Sequence, residues 1–296
     1  MGLGGIKTNW QRQTKHFGHD NGTKYSVLIL DNRGVGLSEK PLARYSTTTM
    51  ALDVHEVLGH VGWLSEEEEK KRTIHLVGIS LGGMIAQELA LMLPHRLASL
   101  TLLSTTARME SGNSRWSVIA ERANMAIPKS MERAIEDTAR QVFNDAWLAM
   151  EDDAELPSPK TTPRCGPAVG TPDGEYLRFE SNFQRWQAVE VTKRRNPAVW
   201  AMKGFLMQLV AAGWHEKSAL QLKEMGDKVG RERIAILHGD QDRMIDVKMG
   251  RKLMQLVQPG RAIVMPGMGH APIVSDSKWF NKMLEERIDE CEAMTN

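Results

Sequence analysis

Five residues, Gly78-Ile79-Ser80-Leu81-Gly82, restrict the folding options of this chain more than any other segment. Ahead of them, Thr73 to Val77 is short and apolar through Ile74, Leu76 and Val77, as a buried strand requires. Behind them, Gly82 to Leu93 carries Ile85, Leu89 and Met92 at helical spacing until Pro94 ends the run. A strand that turns at once into a helix brings two stretches of backbone almost into contact. Gly78 and Gly82 permit that approach, and the turn throws the central serine hydroxyl clear of the sheet. A helix start also leaves its first amides without carbonyl partners, so the Leu81 N–H is available to an oxyanion developing on a carbon that Ser80 attacks.

The same rhythm recurs along the chain. Tyr25 to Leu30, Leu100 to Leu103, Ile234 to Leu237 and Ala262 to Met265 read as further buried strands. Met249, Leu253 and Val257 give helical spacing to Asp246–Val257, and Phe280, Leu284, Ile288 and Cys291 line one side of a terminal helix. Strands alternating with helices predict an α/β fold with a mostly parallel sheet covered on both faces. From about Thr105 to Glu232 the alternation stops. Ser114–Met125, Met131–Val142 and Tyr176–Lys193 are patterned as helices, and a proline- and glycine-rich loop runs from Pro157 to Gly174. The expected organisation is a core of residues 1–104 and 233–296 with a helical lid, 105–232, inserted into it.

A chain of 296 residues is long enough for one catalytic body with such an insertion. Its 38 basic and 37 acidic residues leave a net charge of +1, which gives no global reason to expect nucleic acid or an anionic membrane as partner. The tight basic run Lys193-Arg194-Arg195 reads as a solvated helix face, and so does the acidic run Glu66 to Glu69. Cys165 and Cys291 are far apart and without a C-x-x-C partner, which argues against a disulfide framework or a thiolate metal site. With no secretory leader pattern at Met1 and no apolar run of membrane-spanning length, a cytoplasmic protein is expected.

A serine hydroxyl needs a base to become nucleophilic, and the base needs a group to orient it. His270 follows the last strand in Gly267-Met268-Gly269-His270, and Asp242 follows the strand before it in His238-Gly239-Asp240-Gln241-Asp242. Both fall at carboxyl ends of strands, the edge where open α/β sheets build their sites, in the chain order serine, acid, histidine. Other histidines carry less. His55 and His60 are five apart, do not share a helical face and have no carboxylate triad beside them, so no metal is expected. His215, beside Trp214, reads as a packing or surface residue, and His238 as structural. Trp200, Phe205, Met207, Leu209 and Val210 form an apolar helix that is mainly lid core, since only one stripe of it can face a cavity.

On Gly78 to Gly83, Asp31-Asn32-Arg33-Gly34-Val35-Gly36-Leu37-Ser38, Gly239 to Asp242 and Gly269-His270, the sequence resembles the α/β-hydrolase fold family. The likeness is to its cap-bearing serine hydrolases, such as the enol-lactonase, carboxylesterase and aminoacrylate-hydrolase-like groups. The resemblance implies a Ser80–His270–Asp242 triad, with Asp240 as second choice for the acid, and a second oxyanion amide at Leu3 in Gly2-Leu3-Gly4-Gly5. It implies hydrolysis of an ester, lactone or related carbonyl in a small, partly apolar molecule, with no cofactor. Acyl transfer, C–C bond hydrolysis and a weakly active ligand-binding module on the same scaffold remain open. The family has strands before the Gly2–Gly5 loop, one of them lying between those that match Tyr25–Leu30 and Thr73–Val77. The expectation here is a sheet without them, with the gap filled from elsewhere, the loop mobile, or the chain start lying upstream.

Overall fold

Four of the apolar runs pair into one parallel sheet, in the order β1 (Ile74–Ile79), β2 (Leu97–Leu103), β3 (Ile234–Gly239) and β4 (Arg261–Met265). The computed structural model describes residues 1–65, 71–109, 130–155, 162 and 178–294. The register sets Ile79 against Leu103, Leu103 against Leu237 and Gly239 against Met265, so the carboxyl ends of all four strands lie along one edge. Side chains alternate between the two faces, as strand geometry demands. Leu100, Leu102, Ile234 and Ile236 point to one core, and Ile79, Leu103, Ala235 and Leu237 point to the other.

Helices cover both faces. On the first lie α1 (Thr47–His60), α2 (Leu81–Met92), α6 (Ala219–Val229) and α7 (Val247–Val257), through buried Leu58, Leu89, Leu222 and Leu253. On the second lies α8 (Ser277–Ala293), through Phe280, Met283, Leu284 and Ile288. Side-chain caps define several starts. Ser46 forms a capping box with Thr49, Ser218 forms one with Gln221, and Asp246 accepts from the Lys248 amide. Among the described residues no helix is long and apolar enough to cross a membrane.

Between β2 and β3 the described chain holds α3 (Met131–Val142), α4 (Asn182–Arg195) and α5 (Met202–Trp214) ahead of α6. Helix α4 begins at Asn182, where the Ser181 side chain caps the Gln184 amide, and the expected start at Tyr176 lies outside the described residues. Asp152, with both oxygens on Arg185, ties the segment before α4 to its buried side. The expected helix 114–125, the loop 157–174, the acidic run 66–69 and Cys165 lie outside the described residues.

After α5 the chain is pinned to the core at His215, which is a packing residue. Its Nδ1 lies 2.9 Å from the Thr47 hydroxyl, Thr47 donates to Glu88 at 2.9 Å, and Lys217 closes the group on Glu88 at 2.6 Å. Burial lowers the His215 pKa to about 4, against a smaller opposing pull from Glu88, which keeps the ring neutral near pH 7.

One expected strand does not form. Tyr25 to Leu30 takes no regular secondary structure and pairs with no strand among the described residues, and Val27 is exposed. The physical reason lies beside it. A cavity of about 640 Å³ separates this segment from β1, lined by Tyr25 to Leu30 on one wall, His75 and Val77 on another, and Leu58, Ile85 and Leu284 above and below. With no backbone within reach across that space, strand propensity has nothing to bond.

Candidate active site

Residue 80 stands between β1 and α2 with φ 56° and ψ −122°, a region that costs a non-glycine residue on the order of 1–3 kcal/mol. The surroundings hold it there. Its amide donates to Leu103 O at 2.9 Å, and its carbonyl accepts from the Thr105 hydroxyl at 2.8 Å and from the Gly83 amide at 2.9 Å. The nearest clash at Gly78 is between strand and helix, whereas the nearest at Gly82 is with the Met1 backbone. A Cβ on Gly78 would collide with the Gly82 carbonyl, and one on Gly82 would sit 2.8 Å from the Met1 nitrogen. A Cβ on Gly83 would sit 2.6 Å from Thr105. The Ser80 hydroxyl itself makes no hydrogen bond among the described residues.

Two backbone amides near the elbow donate to no acceptor among the described residues. Leu81 is the first residue of α2, so its N–H has no carbonyl one turn earlier in the helix. The Gly2–Gly5 turn, closed by Gly5 N–H donating to Gly2 O at 3.0 Å, lies against the elbow. The direction of the absent Gly2 Cβ ends 3.3 Å from Ser80 Cβ and 3.7 Å from Ser80 Oγ. Leu3 follows Gly2 in that turn, and its amide has no acceptor among the described residues.

At the far end of the same sheet edge, the loop after β4 carries His270, held by its amide donating to Val142 O at 2.7 Å. Its Nδ1 lies 2.7 Å from Asp242 Oδ2, and both side chains are buried. Asp242 Oδ1 accepts from the amides of Met244 and Ile245 at 2.8 and 2.9 Å, so every oxygen of the carboxylate is engaged. Burial raises the Asp242 pKa, but the facing His270 and the hydrogen bonds from His238, His270 and the Ile245 amide outweigh it. The carboxyl is held well below the usual carboxylate range. Asp240 faces elsewhere, accepting from the Gly267 amide at 2.7 Å. No hydrogen bond joins Ser80 Oγ to the His270 ring, a contact that hydrolytic sites often complete only with substrate bound.

Some contributors were not legible as such. His238, fully buried at the end of β3, donates from Nε2 to Ile245 O at 2.8 Å and stands 3.2 Å from Asp242 Oδ2, so it steadies the acid. Its spacing of four from Asp242 was the available signal. The basic run Lys193-Arg194-Arg195 is not a uniformly solvated face. Lys193 is 4% exposed, paired with Glu190 at 2.5 Å and donating to Gly4 O at 3.2 Å. A basic triplet on a helix carries no mark of that tertiary contact. Among the described residues no three His, Cys, Asp or Glu side chains gather as a metal site requires. The 640 Å³ cavity beside β1 borders neither Ser80 nor His270.

Comparison with known proteins gives the same architecture. The family model described as alpha/beta hydrolase fold matches residues 1–277. Over 255 residues the chain is 25% identical to monoacylglycerol lipase abhd6-A of Xenopus laevis, covering 84% of this chain and 66% of that one. It is 31% identical over 109 residues to a putative carbamate hydrolase, RutD, of Azorhizobium caulinodans, 37% of each chain. These alignments span between about a third and two thirds of the curated relatives' length. A thermophilic esterase from Thermogutta terrifontis superposes with a TM-score of 0.66 over 97% of this chain and 86% of that one, at 17% identity.

Proposed function

The chain belongs to the α/β-hydrolase fold family, and from that premise we propose that it is a serine hydrolase acting on a carboxylic ester, lactone or related carbonyl of a small, partly apolar molecule. One observation carries the reading: a serine held in a strained turn and a buried histidine–carboxylate pair 2.7 Å long occupy the same carboxyl edge of the sheet. The names of its relatives, a lipase, a carbamate hydrolase and an esterase, support a hydrolytic reaction. In this reading the stretch expected as a lid, 105–232, covers the site through α3, α4 and α5, while α6 packs on the sheet.

Because His270 Nδ1 faces the Asp242 carboxylate, the ring carries its proton there and leaves the Nε2 lone pair as the base. Ser80 Oγ adds to the carbonyl carbon while Nε2 takes its proton. The resulting oxyanion is met by the amides of Leu81 and Leu3. Collapse expels the leaving group, which receives the proton from Nε2, and an acyl-Ser80 ester remains. Water then adds to that ester with Nε2 again as base, and collapse breaks the bond to Ser80 Oγ, which takes the proton back from Nε2 as the acid is released. Asp242, ionised at neutral pH, stabilises the imidazolium in both halves. The nucleophile, the base, its orienting acid and the oxyanion amides in these steps all belong to the chain itself.

The unformed Ser80–His270 bond favours one second reading, a ligand-binding module with little or no turnover. p-Nitrophenyl acetate separates the two. A hydrolase is expected to release about one equivalent of nitrophenol in a burst before steady turnover wherever deacylation is the slower step, and to carry an acetyl group on Ser80 when quenched in acid. Release no faster than in buffer, with unmodified Ser80, overturns the hydrolase reading and leaves the binding module.

A further inference from the structure

The loop beside Ser80 is held from outside the sheet domain. Gln208, fully buried on α5, accepts from the Gly4 amide through Oε1 at 2.9 Å and donates through Nε2 to Arg33 O at 2.9 Å. Lys193, buried on α4, donates to the Gly4 carbonyl at 3.2 Å, and Glu190 neutralises it at 2.5 Å. Gly4 has φ +66°, and a Cβ there would sit 3.0 Å from Trp200 and 3.1 Å from Phe205, so the apolar start of α5 and the residues before it close over the same glycine. These two rings are therefore not simply packed among the helices but form the ceiling of the turn.

Burying an ammonium and a carboxamide is costly unless each polar atom is paired. Both groups meet that cost by gripping the two backbone groups of one residue. With the Gly4 amide taken by Gln208 and the Gly5 amide taken by Gly2 O, the Gly2 and Leu3 amides are left without acceptors among the described residues, next to Ser80. We infer that Gln208 and Lys193 are positioning residues that clamp the Gly2–Gly5 turn so that the Leu3 amide stays aimed at the oxyanion. The helices inserted between β2 and β3 then complete the oxyanion site as well as cover it. The oxyanion site is preorganised only while α4 and α5 are seated on the loop.

This inference rests on the serine-hydrolase reading, and its test separates the two. Gln208→Met keeps length and apolar bulk but removes the acceptor for the Gly4 amide together with the donor to Arg33 O, and Lys193→Met removes the donor to the Gly4 carbonyl. Each is expected to lower kcat for p-nitrophenyl acetate by about 10–100-fold, less than the roughly 10²–10³-fold that outright loss of one oxyanion donor produces, and to leave KM within about threefold. The inhibition constant of an aryl trifluoromethyl ketone, whose hemiketal presents the same oxyanion, should rise by the same factor as kcat/KM falls. A role in folding alone would lower the melting temperature without that parallel. Wild-type kcat in a folded Gln208→Met or Lys193→Met protein overturns the clamp, as does a fall in kcat with unchanged ketone affinity. If Ser80→Ala is inactive while the clamp variants behave as wild type, only this inference fails. Should Ser80→Ala keep wild-type turnover, the hydrolase reading fails and takes the clamp with it.

Discussion

Ser80→Ala is expected to lower kcat for ester hydrolysis on the order of 10⁶-fold, as removal of the nucleophile does where serine, histidine and acid act as a unit. The same change should leave the fold intact. The Ser80 hydroxyl makes no hydrogen bond among the described residues, so nothing is orphaned when it goes, and alanine keeps the Cβ that the turn already accommodates. The groups that hold the elbow are the backbone bonds to Leu103, Thr105 and Gly83, and none of them involves the side chain. A stability change within about 1 kcal/mol follows, readable as nearly unchanged thermal unfolding. Full activity in the variant would mean that the strained turn serves packing and not chemistry.

Asp242→Asn is expected to cost about 10⁴-fold in kcat, whereas Asp240→Asn should stay within about threefold of wild type. An amide at 242 can offer an N–H to the ring, which then places its proton on Nε2, the nitrogen that has to accept from Ser80. Asp240 has no such reach, since its carboxylate caps the Gly267 amide and an asparagine retains that acceptor. Stability gives a second readout of the same substitution. The Asp242 pKa lies below its value in the unfolded chain, about 3.9, so the folded state binds fewer protons in acid than the unfolded one. The carboxylate's contribution to stability is therefore fully present above about pH 4 and declines as the pH falls further. Unfolding curves of Asp242→Asn below pH 4 should be flatter than those of wild type. An Asp240 variant as slow as the Asp242 variant was predicted to be would reassign the acid.

The sheet was legible because strands buried on both faces must be apolar runs, and each of the four is bounded by glycine or polar residues. Their ends were less so. β2 starts at Leu97, three residues earlier than its apolar run suggests, since Ser99 is tolerated inside by bonding the His75 ring at 2.8 Å. Tyr25–Leu30 has strand composition without strand structure, because pairing depends on a neighbour that composition does not reveal. The positions gathered at the carboxyl edge could be read from their places at strand ends; between Asp240 and Asp242, two residues apart, the family resemblance favoured Asp242, and it is that carboxylate which faces His270. Gln208 and Lys193 were invisible for a related reason. Their partners are backbone atoms of Gly4, 204 and 189 positions away in sequence, and no local pattern encodes such a contact.

Fluorophosphonate labelling with peptide mapping tests the central claim most directly, because the probe bonds only to a hydroxyl that a neighbouring base has activated. One equivalent of label on the folded protein, confined to the peptide containing Ser80 and lost in His270→Ala, is the predicted result. Folded protein that takes up no label, or label at Ser80 undiminished when His270 is replaced, would contradict it.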